Sequence, residues 1–158
     1  MVCLTAHSSA RGAAIDILAG QRETVARWVA GRIKDMDGPP EKDYEAIGVM
    51  RDGKLIGGVI YNNYFEIAPH QYDIRFTASG ETGWLTKASL RVIFGYPFEN
   101  LHCIRVSALC AKGNKRSRDL VERLGFVAEG NIRHAFGTGR DGIFYGMLKH
   151  ECRWIGQR

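Results

Sequence analysis

Two polar residues three positions apart, Asn114 and Ser117, are the side chains best placed for chemistry in this sequence. They follow the β-like run from Ile104 to Leu109 and open an amphipathic helical pattern that stops at Gly125. An amide, which donates and accepts hydrogen bonds, and a hydroxyl therefore meet at a predicted strand-to-helix junction. A serine this close to a helix start is also a common cap or surface residue, so the structural interpretation stays open.

A glycine-containing turn, Ser79 to Gly83, forms the second candidate site. It follows the alternating stretch Gln71 to Ala78, which predicts a central strand. It precedes a helical pattern from Trp84 to about Gly95. The backbone N–H groups of such a turn lie unpaired at the positive end of the helix dipole and can bind a pyrophosphate. Because glycines are common in short loops, a purely structural connection is the alternative.

The remaining elements must position these two sites. A first strand is predicted from Ala13 to Leu18, and a helix with one apolar face is predicted from Gln21 to Met36. Two further strands, Ala46 to Met50 and Lys54 to Asn62, flank Asp52-Gly53, a dipeptide that accepts positive φ in a type I′ hairpin. The alternation of strands and helices predicts the α/β class.

The composition, 45% hydrophobic and 10% aromatic, suits one globular domain over residues 1–158. No apolar run reaches the roughly 20 residues of a membrane span, and no secretory signal is visible, so a cytoplasmic protein without a membrane partner is expected. The cysteines at 3, 103, 110 and 152 lack metal-ligand spacing, which predicts neither a metal site nor a disulfide framework. A net charge of +5 fits an anionic cofactor or nucleic acid, and solubility alone also accounts for it.

The arrangement Asn-x-x-Ser…Leu-Gly-Phe…Glu-Gly, from Asn114 to Gly130, resembles the GNAT superfamily of acetyl-CoA-dependent N-acyltransferases, especially its ribosomal-protein N-terminal acetyltransferase branch. The resemblance runs from the Asp52-Gly53 hairpin to the strand Gly146-Met147-Leu148, because the predicted elements follow the superfamily's order. Trp84-Leu85-Thr86 and Tyr96-Pro97-Phe98 are reminiscent of phage-encoded members. This resemblance implies a mixed, mainly antiparallel sheet with splayed central strands and flanking helices. It also implies direct acetyl transfer to a primary amine through a tetrahedral intermediate, without a metal.

The resemblance further implies where acetyl-CoA would lie. Its pantetheine arm would bond the backbone of Phe76, Thr77 and Ala78 in the gap between the splayed strands. The side-chain amide of Asn114 would donate to and accept from the same arm. The pyrophosphate would bind the backbone amides of the turn, which are those of Glu81, Thr82, Gly83, Trp84 and Leu85.

The match to the family's phosphate-binding turn is partial. Its signature, Arg/Gln-x-x-Gly-x-Gly/Ala, falls on Ala78, Glu81 and Gly83, and only Gly83 agrees. A glutamate near two phosphates is unfavourable unless it points to solvent, so either the loop geometry differs or the cofactor binds more weakly. A CoA-binding module without catalytic activity is therefore an alternative function.

Acyl transfer needs a neutral amine, a donor to the oxyanion and a proton for the leaving thiolate. The resemblance implies Ser117 as the acid near the thioester sulfur, because the tyrosine that other members place four residues later is Val121 here. It implies Asp73 as the general base, since histone-type members carry a carboxylate at this position of the strand. Glu66, His70 and a water relay are rivals, and a purely structural Asp73 is the alternative.

The acceptor is left open by the sequence. The residues that would wall its cleft, by resemblance, are Trp28, Tyr44, Tyr64 and the loop Gly137 to Gly142. Tyr145 would either point into this cleft or pack in the core. Acidic residues that would attract a cationic amine, or simply face solvent, are Asp35, Asp37, Glu41 and Asp43. Polyamine, aminoglycoside, peptide N-terminus and aminoacyl-tRNA all fit as acceptors. A toxin-like reaction on tRNA is an alternative for a basic chain, and a homodimer is compatible with the sequence.

Overall fold

The protein forms one seven-stranded sheet, of order β1-β2-β3-β4-β5-β7-β6, in a computed structural model that describes residues 14–156. The strands are β1 (Ile15–Leu18), β2 (Glu45–Arg51), β3 (Lys54–Ala68), β4 (Gln71–Gly80), β5 (Arg105–Ala111), β6 (Val127–Ile132) and β7 (Gly142–Leu148). The helices are α1 (Arg22–Ala30), α2 (Lys87–Gly95) and α3 (Lys115–Leu124). A π-helical turn, Tyr96–Asn100, follows α2, and a short 3-10 turn, Lys149–Glu151, follows β7.

The pairing of β4 with β5 is the parallel step in an otherwise antiparallel sheet. It covers three positions, from Asp73 opposite Arg105 to Arg75 opposite Ser107. Beyond this point β4 continues beside β3 and β5 continues beside β7. The two central strands therefore part, which confirms the predicted mixed sheet with a splayed centre.

The hairpin between β2 and β3 forms where turn chemistry predicted it. Asp52 and Gly53 have φ values of 51° and 74°, as a type I′ turn requires. Strand β3 is longer than predicted, since it runs to Ala68 instead of Asn62. The extension pairs with the start of β4 and ends in a turn at His70, whose φ is 61°.

The two faces of the sheet are packed differently. On one face, Ile74 and Phe76 of β4 and Val106 of β5 belong to the main core, which α2 and α3 cover. On the other face, α1 packs mainly on β2 and β3. A side chain at Gly58 would crowd Val25 and Val29 of α1, so this glycine permits the close approach. Residues that follow Ile74 and Phe76 by one position, Arg75 and Thr77, face the α1 side.

Several predicted element bounds are wrong. Helix α1 ends at Ala30. Residues 31–36 form tight turns, in which backbone N–H groups donate to the carbonyl three residues earlier. Helix α2 begins at Lys87 instead of Trp84, because the Thr86 hydroxyl caps it by accepting from the Ser89 amide at 3.1 Å. The predicted first residue of β1, Ala13, and Cys3 lie outside the described residues. Within the described part of the chain, no helix is long and apolar enough to cross a membrane.

Candidate active site

The opening between β4 and β5 is the central feature of the site. Phe76, Thr77 and Ala78, which the sequence assigned to the pantetheine arm, lie just beyond the last paired position of these strands. Their β3 side is paired, and their β5 side has no strand beside it among the described residues. This edge of backbone can therefore accept an extended ligand in the manner of an added strand.

The turn after β4 supplies fewer backbone donors than predicted. The Glu81 amide already donates to the Ile56 carbonyl at 2.7 Å, and the Trp84 amide donates to the Glu81 carbonyl at 3.3 Å. The amides of Thr82, Gly83 and Leu85 are the remaining donors of the predicted set. The Glu81 side chain is exposed and lies 3.9 Å from the Lys54 ammonium, so its charge is partly balanced.

Trp84 holds this turn in place instead of opening the helix. Its ring is buried and lies across Gly57 of β3 and Gly80 of β4, which face each other in the strand register. A Cβ atom on either glycine would overlap the ring, so both positions require glycine. Arg51 also stabilises the turn, because its guanidinium donates to the Gly83 carbonyl at 2.9 Å. Two contacts that the sequence did not reveal thus fix the conformation of the turn.

Asn114 and Ser117 are brought together at the start of α3, as predicted. The Asn114 Oδ1 atom accepts from the Ser117 backbone amide at 3.1 Å and so caps the helix. The Asn114 NH2 group is not used by this cap and is the part of the side chain free to meet a ligand. The Ser117 hydroxyl contacts the Cys110 sulfur of β5 at 3.3 Å. The predicted pair therefore has a structural role together with its position beside the opening.

Tyr145 lies on β7 and packs in the core. Its side chain is 1% exposed, and its hydroxyl donates to Glu122 Oε1 of α3 at 2.8 Å. Burial, reinforced by Glu122, raises the pKa of Tyr145 to about 12, so the phenol keeps its proton at neutral pH. Burial likewise raises the pKa of the Cys110 thiol. Val121, where other members carry a tyrosine, is buried.

Asp73 lies on β4 at the first position that pairs with β5, two residues before the strands part. It is 5% exposed, and its Oδ2 atom lies 3.5 Å from Nε of Arg105. Its Oδ1 atom is buried without a hydrogen-bond partner. Burial raises the pKa of Asp73, although the Arg105 charge and the Ser107 hydroxyl offset part of this effect. A buried carboxylate with a raised pKa is a suitable proton acceptor.

The two rivals for the base lie in the turn between β3 and β4. Glu66 Oε1 accepts from the His70 backbone amide at 2.7 Å, and both residues are exposed. The Glu66 carboxylate therefore closes the turn. Tyr64, at the same extension, stacks on Tyr72 with ring centroids 4.9 Å apart.

The expected walls of the acceptor cleft carry arginines as well as aromatic rings. The Arg32 guanidinium lies 3.6 Å from the Trp28 ring centroid, and that of Arg22 lies 5.2 Å from the Tyr44 ring centroid. Such cation–π contacts partly cover both rings.

An ion pair joins the segment after α1 to the loop between β6 and β7. Arg140 Nη1 lies 2.8 Å from Asp35 Oδ1. The hydrogen bond from Arg140 lowers the pKa of Asp35. The Asp35 charge is thus matched within the protein, so this residue of the predicted acidic group has less attraction for a cationic amine.

Sequence reasoning missed Arg75 and Asn62. They face each other across β3 and β4, and both are half-buried. The Arg75 Nε and Asn62 Oδ1 atoms are buried without hydrogen-bond partners. The alternation of β4 already placed Arg75 on the same face as Asp73, which is the signal that could have identified it.

The splayed central strands agree with the family that the sequence resembles. The sequence profile of the acetyltransferase (GNAT) domain matches residues 15–127. The chain belongs to the GNAT family. This confirms the resemblance seen in the sequence.

Proteins similar to this chain carry names that point to different acceptors. The chain is 34% identical over 117 residues to YdaF of Bacillus subtilis (strain 168), provisionally named a ribosomal N-acetyltransferase. The match covers 70% of this chain and 62% of YdaF, so the chain spans less than two thirds of that relative.

Solved structures share the fold at lower identity. A variant of the spermidine N-acetyltransferase SpeG from Vibrio cholerae has a TM-score of 0.64 at 16% identity, over 85% of this chain and 94% of SpeG. RimJ of Mycobacterium smegmatis, in complex with CoA-disulfide, has a TM-score of 0.56 at 19% identity, over 69% of this chain and 55% of RimJ.

Proposed function

We propose that this GNAT protein transfers the acetyl group of acetyl-CoA to a primary amine by direct attack on the thioester. The observation that carries the proposal is the end of β4–β5 pairing at Arg75 and Ser107, with a fixed turn and a helix start at the far end of β4. An extended thioester can lie along the open edge while its phosphates reach the turn. Family membership supports acyl transfer as the chemistry.

For the cofactor, the proposal uses the predicted residues with a revised set of amides. The backbone of Phe76, Thr77 and Ala78 would bond the pantetheine arm, and the Asn114 NH2 group would add a donor. The pyrophosphate would meet the amides of Thr82, Gly83 and Leu85, since those of Glu81 and Trp84 are used within the protein.

For the chemistry, Asp73 would accept the proton that the amine loses as its nitrogen bonds to the thioester carbon. The raised pKa of Asp73, caused by burial, favours this role. When the carbon–sulfur bond breaks, Ser117 would donate a proton to the leaving thiolate. Its hydroxyl already lies 3.3 Å from a sulfur atom, that of Cys110, so this position tolerates a hydroxyl–sulfur contact.

The acceptor would be a small-molecule or peptide amine. The name of YdaF suggests a ribosomal protein and that of SpeG suggests spermidine for those proteins. A ribosomal-protein acceptor would place the reaction in the cytoplasm, the location predicted from the sequence. The aminoacyl-tRNA acceptor and the homodimer stay predictions.

Two measurements test the function. Acetyl-CoA at about 100 times its Kd should stabilise the fold by roughly 2.7 kcal/mol, which a thermal shift detects. Release of free CoA thiol should then depend on an added primary amine. Stabilisation without any amine-dependent thiol release would identify a CoA-binding module instead of an enzyme, and no stabilisation at millimolar acetyl-CoA would contradict cofactor binding.

A further inference from the structure

The turn between β4 and α2 has no positive charge of its own. Residues 79–86 contain one charged side chain, the carboxylate of Glu81. A pyrophosphate at this turn, as proposed above, would lie near that carboxylate, and like charges repel. Backbone amides offset this repulsion only in part, because they carry partial charges. A cation contributed by another element would therefore stabilise the bound phosphates.

The hairpin between β2 and β3 brings two cations to the turn. Arg51 and Lys54 are paired in its register. Lys54 Nζ lies 3.9 Å from Glu81 Oε1, so Lys54 balances the carboxylate. Arg51 donates from its guanidinium to the Gly83 carbonyl at 2.9 Å. The hairpin therefore contacts the turn through two side chains, and one of them already balances Glu81.

The charge of Arg51 is available to a ligand. Within residues 14–156, no carboxylate forms an ion pair with Arg51. The Gly83 carbonyl is neutral, so this contact leaves the positive charge in place. A guanidinium carries five N–H donors in a planar fork that matches phosphate oxygens. Arg51 is half-buried, and Thr82 and Gly83 are exposed, so an anion can approach the guanidinium and the turn from solvent.

The contact with Arg51 also affects the backbone of the turn. Gly83 has a φ of 84°, in the left-handed region that favours glycine. A Cβ atom at this position would lie 2.7 Å from Nη2 of Arg51, so the guanidinium packs closely on the Gly83 backbone. Because the Gly83 carbonyl oxygen accepts from a cation, its partial negative charge repels a nearby phosphate less. Arg51 therefore favours an anion through its own charge and through this carbonyl.

We propose that Arg51 is a cofactor-binding residue, which the β2–β3 hairpin contributes to the pyrophosphate of acetyl-CoA. This inference rests on the cofactor binding proposed above. The turn after β4 would supply the amides of Thr82, Gly83 and Leu85, and Arg51 would supply the charge that the turn lacks. The phosphates would thus be held between two elements, so cofactor affinity would depend on the hairpin as well as on the turn.

Calorimetry with three ligands tests the role of Arg51. CoA carries the pyrophosphate and a 3′-phosphate, dephospho-CoA carries the pyrophosphate alone, and pantetheine carries neither. Each Kd is measured for the wild type, Arg51→Gln, Arg51→Lys and the control Arg27→Gln, which removes an equal charge from an exposed arginine of α1.

The expected losses follow the phosphates. Arg51→Gln should raise the Kd of CoA and of dephospho-CoA equally, by roughly 10-fold, the lower end of the range for a hydrogen bond to a charged group. The Kd of pantetheine should not change. Arg51→Lys should lose less affinity, because it keeps the charge, and Arg27→Gln should match the wild type.

Salt separates the charge of Arg51 from a purely structural contact. Raising the NaCl concentration from about 0.05 M to about 0.5 M should raise the Kd of CoA less for Arg51→Gln than for the wild type, because salt screens exposed charges. An equal loss for pantetheine would make Arg51 a structural residue of the turn, and a loss for CoA alone would place it at the 3′-phosphate. Either result, or no loss for any ligand, overturns the inference. If Arg51→Gln does not fold, Arg51→Lys decides through its losses for dephospho-CoA and pantetheine.

The wild-type measurements separate this inference from the proposed function. CoA binding with an affinity independent of Arg51 contradicts the inference and leaves the function standing. Arg51-dependent CoA binding without amine-dependent thiol release supports the inference and identifies a CoA-binding module. A wild type that binds no CoA at millimolar concentration contradicts both, and the failure then lies with the wild type instead of with the Arg51 variants.

Discussion

The two faces of strand β4 differ in the side chains that they carry and in how these are packed. On one face, the Phe76 ring stacks on that of Phe94, with ring centroids 5.6 Å apart, and its centroid lies 5.5 Å from that of Phe126. All three rings are buried. On the other face, Asp73 and Arg75 leave buried atoms without partners. Alternate residues of one strand thus serve a closed core and an open site. The packed rings of the core face supply rigidity, which lets the other face keep polar groups without partners.

Breaking the core face should cost the most stability. Phe94 is completely buried, and Phe94→Ala removes a ring that packs on two others. The cavity should lower the free energy of unfolding by about 3–5 kcal/mol. Urea titration of the variant measures the change, with Arg27→Gln as the control that should stay within about 0.5 kcal/mol of the wild type. A loss below about 1 kcal/mol would show that the aromatic cluster is not the rigid element of the site.

Changing the open face should affect activity more than stability. Asp73→Asn should lower the rate by roughly 10²- to 10⁴-fold, the range of a positioned general base. The wild-type acid limb should lie above the ordinary aspartate range because burial raises the pKa of Asp73. In the variant that limb should disappear, with the residual rate rising with pH as neutral amine becomes available. Full rate with the wild-type pH profile would assign the proton to water or another group.

The raised pKa of Asp73 also determines whether the stability of the protein rises or falls with pH. The folded pKa of Asp73 is raised above 3.8, so its contribution to stability is complete below that pH and is lost as pH rises through the folded value. The melting temperature of Asp73→Asn relative to wild type should therefore increase between about pH 4 and neutral pH. A difference that decreases over this window would show that the Arg105 pair outweighs burial.

Much of the fold could be predicted because it depends on neighbours in sequence. The Asp52-Gly53 turn and the alternation of β4 are local signals, and both were confirmed. Trp84 fitted the helical period, and its true place depends on Gly57, which is distant in sequence. Among residues 14–156, Arg75 has no ion-pair partner, whereas Arg105 contacts two carboxylates, one of them on β6. Such non-local pairing has no signature in the sequence around Arg75.

Ser117→Ala, at the opening between β4 and β5, should have a smaller effect than Asp73→Asn. The variant should lower the turnover number by roughly 10²-fold while the Kd of acetyl-CoA stays near normal, if the hydroxyl protonates the leaving thiolate. Single-turnover kinetics and calorimetry make the measurement. A large loss of affinity would make Ser117 a binding residue.

Asn114→Ala should have the smallest effect, and it separates the structural and ligand roles of one side chain. Its Oδ1 caps α3 by accepting from the Ser117 amide at 3.1 Å, so the variant should lose about 1 kcal/mol of stability. The proposed NH2 contact to the pantetheine arm should cost about another 1 kcal/mol of cofactor affinity, a roughly 5-fold rise in Kd.

Asn114→Asp separates the two roles because it keeps a capping oxygen and removes the NH2 donor. Its melting temperature should stay near that of the wild type while its acetyl-CoA Kd rises as in the alanine variant. An acetyl-CoA Kd unchanged in both variants would leave Asn114 as a helix cap alone. The backbone of Phe76, Thr77 and Ala78 would then carry the pantetheine arm without this side chain.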